Sequence, residues 1–337
     1  MKLPSFLGFV GPSLLMMLVF IAGPLVYVLI QSFQQTSTIS EIVEQEQCTP
    51  FGCTTERATI PILREDGSPL RETRWVGWEN YALLLQPTNI RKAFSEVGRG
   101  FKDVSDIKFY SALRFTLTFT LLTLPFVILV GLVLAIAVNA SLKRLRGPII
   151  FVTLLPFIIT PVIGALAIRW LFVGDGIITA TMERLSGTDI AMFAQGWTIE
   201  VLMLLYRVWH VAPFAFVIFY AALQTVGQEK IEAAKVDGAS RLQTLWHVII
   251  PHLMPLIVFV SLIHLMDSYR VFDEVIGFRS EAYRISLQWL TFDFLQPDEA
   301  GNRSIGRASA SAMLTMLGVF VLLAPILRQT WKDQRSS

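Results

Sequence analysis

Charge is scarce in this chain: only 16% of its 337 residues are Asp, Glu, Lys or Arg, and the formal net charge is +2. So weak a positive balance, without an arginine-rich tract interleaved with aromatics, excludes nucleic acid as a partner. Cysteine is nearly absent, with only Cys48 and Cys53 in CTPFGC. No metal site is expected, because no histidine accompanies that pair and His210, His247, His252 and His264 do not share a ligand spacing. There is no G-x-x-x-x-G-K-[ST] loop, so the backbone cradle and lysine that hold nucleotide phosphates are missing. With no nucleophile and base set either, no catalytic residue is assigned and the chain reads as a non-enzyme that binds no cofactor itself.

What is abundant is apolar residue, 53% of the chain, with a mean hydropathy of +0.56. Such a composition belongs in a lipid bilayer. Spans of about 20 residues suit a hydrocarbon layer roughly 30 Å thick, and six stretches qualify: 6–30, 115–140, 148–170, 199–225, 253–271 and 308–327. The first is too long for the core of a cleaved leader and has no small-x-small cleavage site before Gln31. The expectation is an all-α integral membrane protein of about six helices. Kinks are expected at Pro12, Pro24, Pro125, Pro156, Pro161 and Pro213. In the last span, the small residues from Ala308 to Met313 suit close helix packing.

Short loops rich in Lys and Arg stay in the cytoplasm. Lys143, Arg144 and Arg146 follow the second span, Lys230, Lys235 and Arg241 follow the fourth, and Lys2, Arg328, Lys332 and Arg335 fall on the same side. Both termini are therefore expected in the cytoplasm of a multi-pass protein of the bacterial inner membrane. Segments 32–110, 173–195 and 272–306 face outward, with Trp75, Trp78, Trp197 and Trp289 in or near them as interfacial anchors. Cys48 and Cys53 then lie in an oxidising periplasm, where a bridge closing so small a ring stabilises by roughly 2 kcal/mol. The expected organisation is a first helix at 1–31, a periplasmic elaboration at 32–110 helical around 77–85, a core of five spans at 111–330, and a tail at 331–337.

Between the fourth and fifth spans lies IEAAKVDGASRLQTLWHVIIPHLMP, Ile231 to Pro255. A helix from Gln228 should close at Asp237-Gly238, since glycine takes the left-handed conformation that ends a helix. Ser240 with Gln243 three residues on is an S-x-x-Q capping box that opens a second helix, and Pro251 is expected to end it. Two capped helices exceed what a reversal of direction requires. Either a partner docks on them, or Leu242, Leu245, Trp246 and Ile249 rest on lipid headgroups or on the ends of the spans.

Ionisable groups inside spans face a cavity or a partner by default. Arg207 lies about ten residues into the fourth span, roughly 15 Å deep, beside Tyr206, Trp209 and His210. It suits either a cavity wall or an anchor for a carboxylate on another helix. Asp267 and Arg270 are spaced to pair on one face of the fifth span, with His264 one turn before. Aromatic faces beside hydrogen-bonding edges match a sugar ring.

Glu232, Ala233, Ala234 and Gly238, followed by Ile249 or Ile250 with Pro251, resemble the EAA signature of permease subunits in binding-protein-dependent ABC importers. VWHVAPFAFVIFYAALQTV from Val208, LMDSYRVFDEV from Leu265 and LPFIITPVIGALAIRWLF before Val173 are similar to spans of the maltose and glycerol-3-phosphate type within that family. The chain departs from the pattern after the fifth span, where GFRSEAYRISLQW replaces a glycine-rich turn. The resemblance implies a type I importer permease fold whose 228–252 loop, through Glu232, Ala233, Ala234, Asp237 and Gly238, couples to an ATPase subunit. It further implies a second homologous permease, two ATP-binding cassette subunits carrying ATP and Mg, a periplasmic solute-binding protein, and a carbohydrate substrate. Solute contacts would come from Tyr206, Arg207, Trp209, His210, Asp267 and Tyr269. Rival readings are an importer of glycerol phosphate or another non-sugar solute, and an ion-coupled secondary transporter; the latter should show paired intramembrane carboxylates and inverted halves.

Overall fold

A computed structural model describes residues 3–49, 52–64, 67, 70–95, 104–298 and 302–336. Among them six helical stretches are long and apolar enough to cross a membrane: Val10–Ser32, Lys108–Ala140, Pro161–Ser186, Gly196–Leu223, Arg241–Ser268 and Ile305–Arg328. The chain divides into two compact units, 1–110 with 287–317, and 111–286 with 318–337.

In the first unit, helix Leu3–Met17 passes through a wide π turn, Leu18–Ala22, into helix Gly23–Ser32. The turn closes with the Gly23 amide donating to the Leu18 carbonyl, five residues back. That geometry accommodates Pro24, which has no N–H to donate and whose ring would strike the preceding turn of an ordinary helix. Strand β1 (Gln34–Thr38) pairs antiparallel with β4 (Arg71–Trp75), and β2 (Ser40–Thr49) with β3 (Gly52–Pro61). These strands were not expected from the sequence. The β2–β3 register sets Cys48 opposite Cys53; their side chains, and with them the expected bridge, lie outside the described residues. Helix Glu79–Leu85 forms where helix was expected. Its buried Asn80 donates to the carbonyls of Ser32 at 2.9 Å and Gln34 at 3.0 Å. Phe33 stacks on Trp75 and meets Trp78 edge-on. Ala308, Ser309, Ala310 and Ser311 are buried, and the Ser311 hydroxyl bonds Thr291 at 2.8 Å.

The second unit has its core where three spans meet. Val127, Ala135 and Val138 of the second span pack with Ala215, Phe216 and Phe219 of the fourth and Leu253 and Val260 of the fifth. Gly131 permits the approach, since a Cβ there would stand 2.7 Å from that of Ala215.

Two expectations are corrected here. The third span is not one helix over 148–170: helix Lys143–Ile158 stops, Ile159 and Thr160 are extended, and helix Pro161–Phe172 begins anew. The pyrrolidine ring of Pro161 disfavours α geometry at the residue before it. Nor does Pro251 end a helix. Arg241–Thr244 leads through a π turn, Leu245–Ile249, into Ile250–Ser268, and the Ile250 amide reaches the Leu245 carbonyl. The same wide turn precedes Pro24 and Pro251 by the same interval, so the proline is carried without a break.

Candidate functional site

The break before Pro161 leaves carbonyls without helical partners at the depth of the fourth span. In lipid these must be satisfied. Side chains of helix Gly196–Leu223 do so: His210 Nε2 lies 2.9 Å from the Ile159 carbonyl, and the Tyr206 hydroxyl donates to that of Pro161 at 2.7 Å. The Thr160 carbonyl is taken by the Gly164 amide.

Beside this break opens a cavity of about 430 Å³. Phe157, Phe214, Arg207, His210, Asp267, Arg270 and Asp273 are among its walls. Phe157 and Phe214 stack at 5.7 Å. Arg207, 5% exposed, binds two carboxylates: Nη1 donates to Glu274 Oε1 at 2.8 Å and Nη2 to Asp267. Its Nη2 also reaches the Ser268 hydroxyl at 3.3 Å. Ser268 in turn bonds His264 at 3.1 Å, and His264 Nε2 lies 2.9 Å from Thr123 of the second span. Arg207 is thus the hub of a buried polar chain linking the second, fourth and fifth spans.

Of the six residues expected to touch solute, Arg207, His210 and Asp267 border the cavity. Tyr206 is buried, its hydroxyl spent on the Pro161 carbonyl. Trp209 turns to the opposite side, into an apolar groove with Phe126, Val201 and Leu205. Tyr269 is 2% exposed and lies against Gly318, where a Cβ would stand 2.0 Å from its hydroxyl oxygen. Asp267 pairs with Arg207 rather than with Arg270, which borders the cavity with no carboxylate in ion-pair contact among the described residues.

Glu274 was missed. It lies 67 residues from Arg207 in a short helix, Asp273–Phe278, that no hydropathy window detects. One signal was available: a buried guanidinium demands a counter-charge, and Asp273-Glu274 are the first carboxylates past Asp267. The helix is held by contact with Pro161–Phe172. At its centre Gly277 meets Ala165 so closely that a Cβ would stand 2.5 Å from Ala165 Cβ and 2.9 Å from the Val162 carbonyl oxygen. Gly277→Ala is therefore expected to cost about 1–3 kcal/mol as overpacking that backbone must absorb, read as a lower unfolding temperature in detergent. Burial, with Glu274 next to it, raises the Asp273 carboxyl above its ordinary value.

At the other end of the fifth span stands the hairpin. Helix Gln228–Val236 ends with Gly238 at φ 78°, the Ala239 amide on the Ala234 carbonyl and the Gly238 amide on that of Lys235. This is a Schellman closure. Ser240 and Gln243 form the expected capping box, with Ser240 N donating to Gln243 Oε1 at 2.7 Å and Gln243 N to Ser240 Oγ at 3.3 Å. Leu245 and Ile249 turn inward, but Val236, Leu242 and Trp246 are exposed, as are Glu232, Ala233, Asp237 and Gly238. A glycine-closed, doubly capped hairpin thus presents a surface of apolar and charged side chains that is exposed among the described residues.

The family model for the binding-protein-dependent transport system inner membrane component matches residues 107–329. The chain is 26% identical over 270 residues to the arabinooligosaccharides transport system permease protein AraP of Bacillus subtilis (strain 168), covering 78% of this chain and 79% of that one. It is 27% identical over 187 residues to the lactose transport system permease protein LacF of Rhizobium radiobacter, covering 55% and 63%. A solved bacterial ABC transporter involved in the import of the acidic polysaccharide alginate contains a chain with the same fold, at a TM-score of 0.67 and 17% identity, over 95% of this chain and 93% of that one. With the helices, the cavity and the hairpin in place, the match over 107–329 identifies the chain as a member of the family of binding-protein-dependent transport system inner membrane components.

Proposed function

We propose that this chain is the permease subunit of an ATP-binding cassette importer that carries a carbohydrate from periplasm to cytoplasm. The observation that carries the reading is the hairpin: Glu232, Ala233 and Gly238 stand exposed on a capped turn at the end of a span whose opposite end supplies Asp267 to the cavity. A second permease of the same kind, two ATPase subunits holding ATP and Mg, and a periplasmic solute-binding protein complete the assembly, with both termini of this chain in the cytoplasm. The names of relatives for arabinooligosaccharides and lactose favour a sugar. So does a wall that sets Phe157 and Phe214 beside His210, Arg207 and Asp267, matching the apolar C–H faces and hydroxyl edges of a pyranose. Opening of the cavity to one side and then the other would follow closure and reopening of the ATPase pair. The test is solute-stimulated ATP hydrolysis by the importer reconstituted with its cognate subunits. Carbohydrates should stimulate it; stimulation by amino acids or phosphate esters alone, or purification of this chain with no ATPase subunit, would overturn the reading.

A further inference from the structure

The charge balance of the cavity selects among carbohydrates. Among the described residues that line it, Arg207 is the one buried guanidinium; Nη1 is held by Glu274 at 2.8 Å and Nη2 by Asp267, while Nε has no partner. The two carboxylates differ sharply in access, since the Glu274 side chain is 1% exposed and that of Asp267 55%. Glu274 therefore holds the guanidinium from behind, while the free edge of Asp267 faces the cavity. Asp273, half-buried, adds a third carboxylate to the lining, and Arg270, exposed, is the second guanidinium. With all of them ionised, three negative groups stand against two positive ones. A further polar atom awaits a partner: His210, 5% exposed, borders the cavity with Nδ1 unbonded among the described residues.

We infer that this cavity takes a neutral, hydroxyl-rich saccharide and rejects acidic ones, with Asp267 and Asp273 accepting hydrogen bonds from sugar hydroxyls. A carboxylate accepts from a hydroxyl in a short, charge-assisted bond. An anionic solute brought to the same place would meet surplus negative charge in a partly desolvated wall, where repulsion is screened far less than in water. Of the two guanidinium groups, Arg207 is already held at both Nη atoms, and Arg270 is exposed, where water weakens its pull on an anion. The inference rests on the carbohydrate reading and sharpens it, setting this cavity apart from one built for an acidic polysaccharide or a phosphate ester.

Selection by the binding protein is removed by working without it. Saturation-transfer NMR on the assembled permease and ATPase complex in detergent reports weak solute contact directly. The probes are maltose, lactose, trehalose and cellobiose, each beside its counterpart in which one CH₂OH is a carboxylate. At least one neutral sugar should bind, and its uronate at least about tenfold more weakly, a difference of about 1.4 kcal/mol. In the Asp267→Asn, Asp273→Asn double variant, which keeps volume and hydrogen-bonding edges, the neutral sugar should bind more weakly, for loss of the charge-assisted acceptors, and the gap to its uronate should close. Each single variant, checked for unchanged unfolding temperature, should close part of it. A uronate that binds the unsubstituted complex as well as its neutral parent overturns the inference and leaves the carbohydrate reading standing. A gap that survives in the double variant overturns it equally. Absence of every sugar signal, with glycerol 3-phosphate bound instead, overturns both.

Discussion

Replacing Arg207 by methionine is expected to destabilise the membrane domain by about 3–5 kcal/mol, because it strands Glu274, which is 1% exposed, without a counter-charge. Removing a partner from a buried pair costs far more than the pair itself contributes. The proof lies in the second change: Arg207→Met combined with Glu274→Met should recover most of the loss, since replacing both ends of a buried pair by apolar groups is near neutral. Asp267→Asn should shift stability by less than about 1 kcal/mol, because more than half of that side chain meets solvent. Thermal unfolding of the four proteins in one detergent separates the effects. If Arg207→Met and Asp267→Asn cost the same, Glu274 is not the anchor described here.

Gly238→Asp is expected to abolish ATP-driven uptake while the chain still inserts and folds. Within the chain, a Cβ at Gly238 meets nothing within 4 Å, and the sole intramolecular penalty is the positive φ of 78°. That strain costs roughly 1–2 kcal/mol, too little to unfold a membrane domain. Loss of transport must therefore come from what approaches the turn from outside. Gly238→Asn sharpens the point, since asparagine accepts the left-handed conformation with little strain. If Asn also stops uptake, the obstacle is the side chain against a docked subunit; if both variants transport normally, the hairpin is not where the ATPase acts. Uptake should be measured beside the amount of ATPase subunit that co-purifies.

Much of this architecture is legible because hydropathy and capping are local. Gly238 and the Ser240–Gln243 box sit where their chemistry places them, and the fourth span is apolar for the length that a bilayer requires. The strands β2 and β3 escaped notice because SEIVEQEQCT and GCTTERATIP carry no alternation of apolar and polar residues. Their pairing is an antiparallel backbone ladder. The break at Ile159–Thr160 was half visible in the Thr-Pro pair, but the helix period continues across it and hides the discontinuity. Of the cavity, Arg207, His210 and Asp267 stand out as polar groups in apolar runs, whereas Tyr206 is suggested by its place beside Arg207 and Tyr269 by the family resemblance. What type does not reveal is which hydroxyl is already taken: the Pro161 carbonyl claims Tyr206, and close packing on Gly318 encloses Tyr269.

The uninterrupted passage through the wide turn before Pro251 has a mechanical outcome. Arg241–Ser268 is one continuous helical run of 28 residues, about 42 Å at 1.5 Å per residue, and Asp267 sits at its far tip. On the proposed reading, a displacement at the hairpin end is expected to reach Asp267 along this helix and to shift it relative to Arg207 on the neighbouring helix. On that reading, contact with the solute and docking of the ATPase meet at the two ends of one helix.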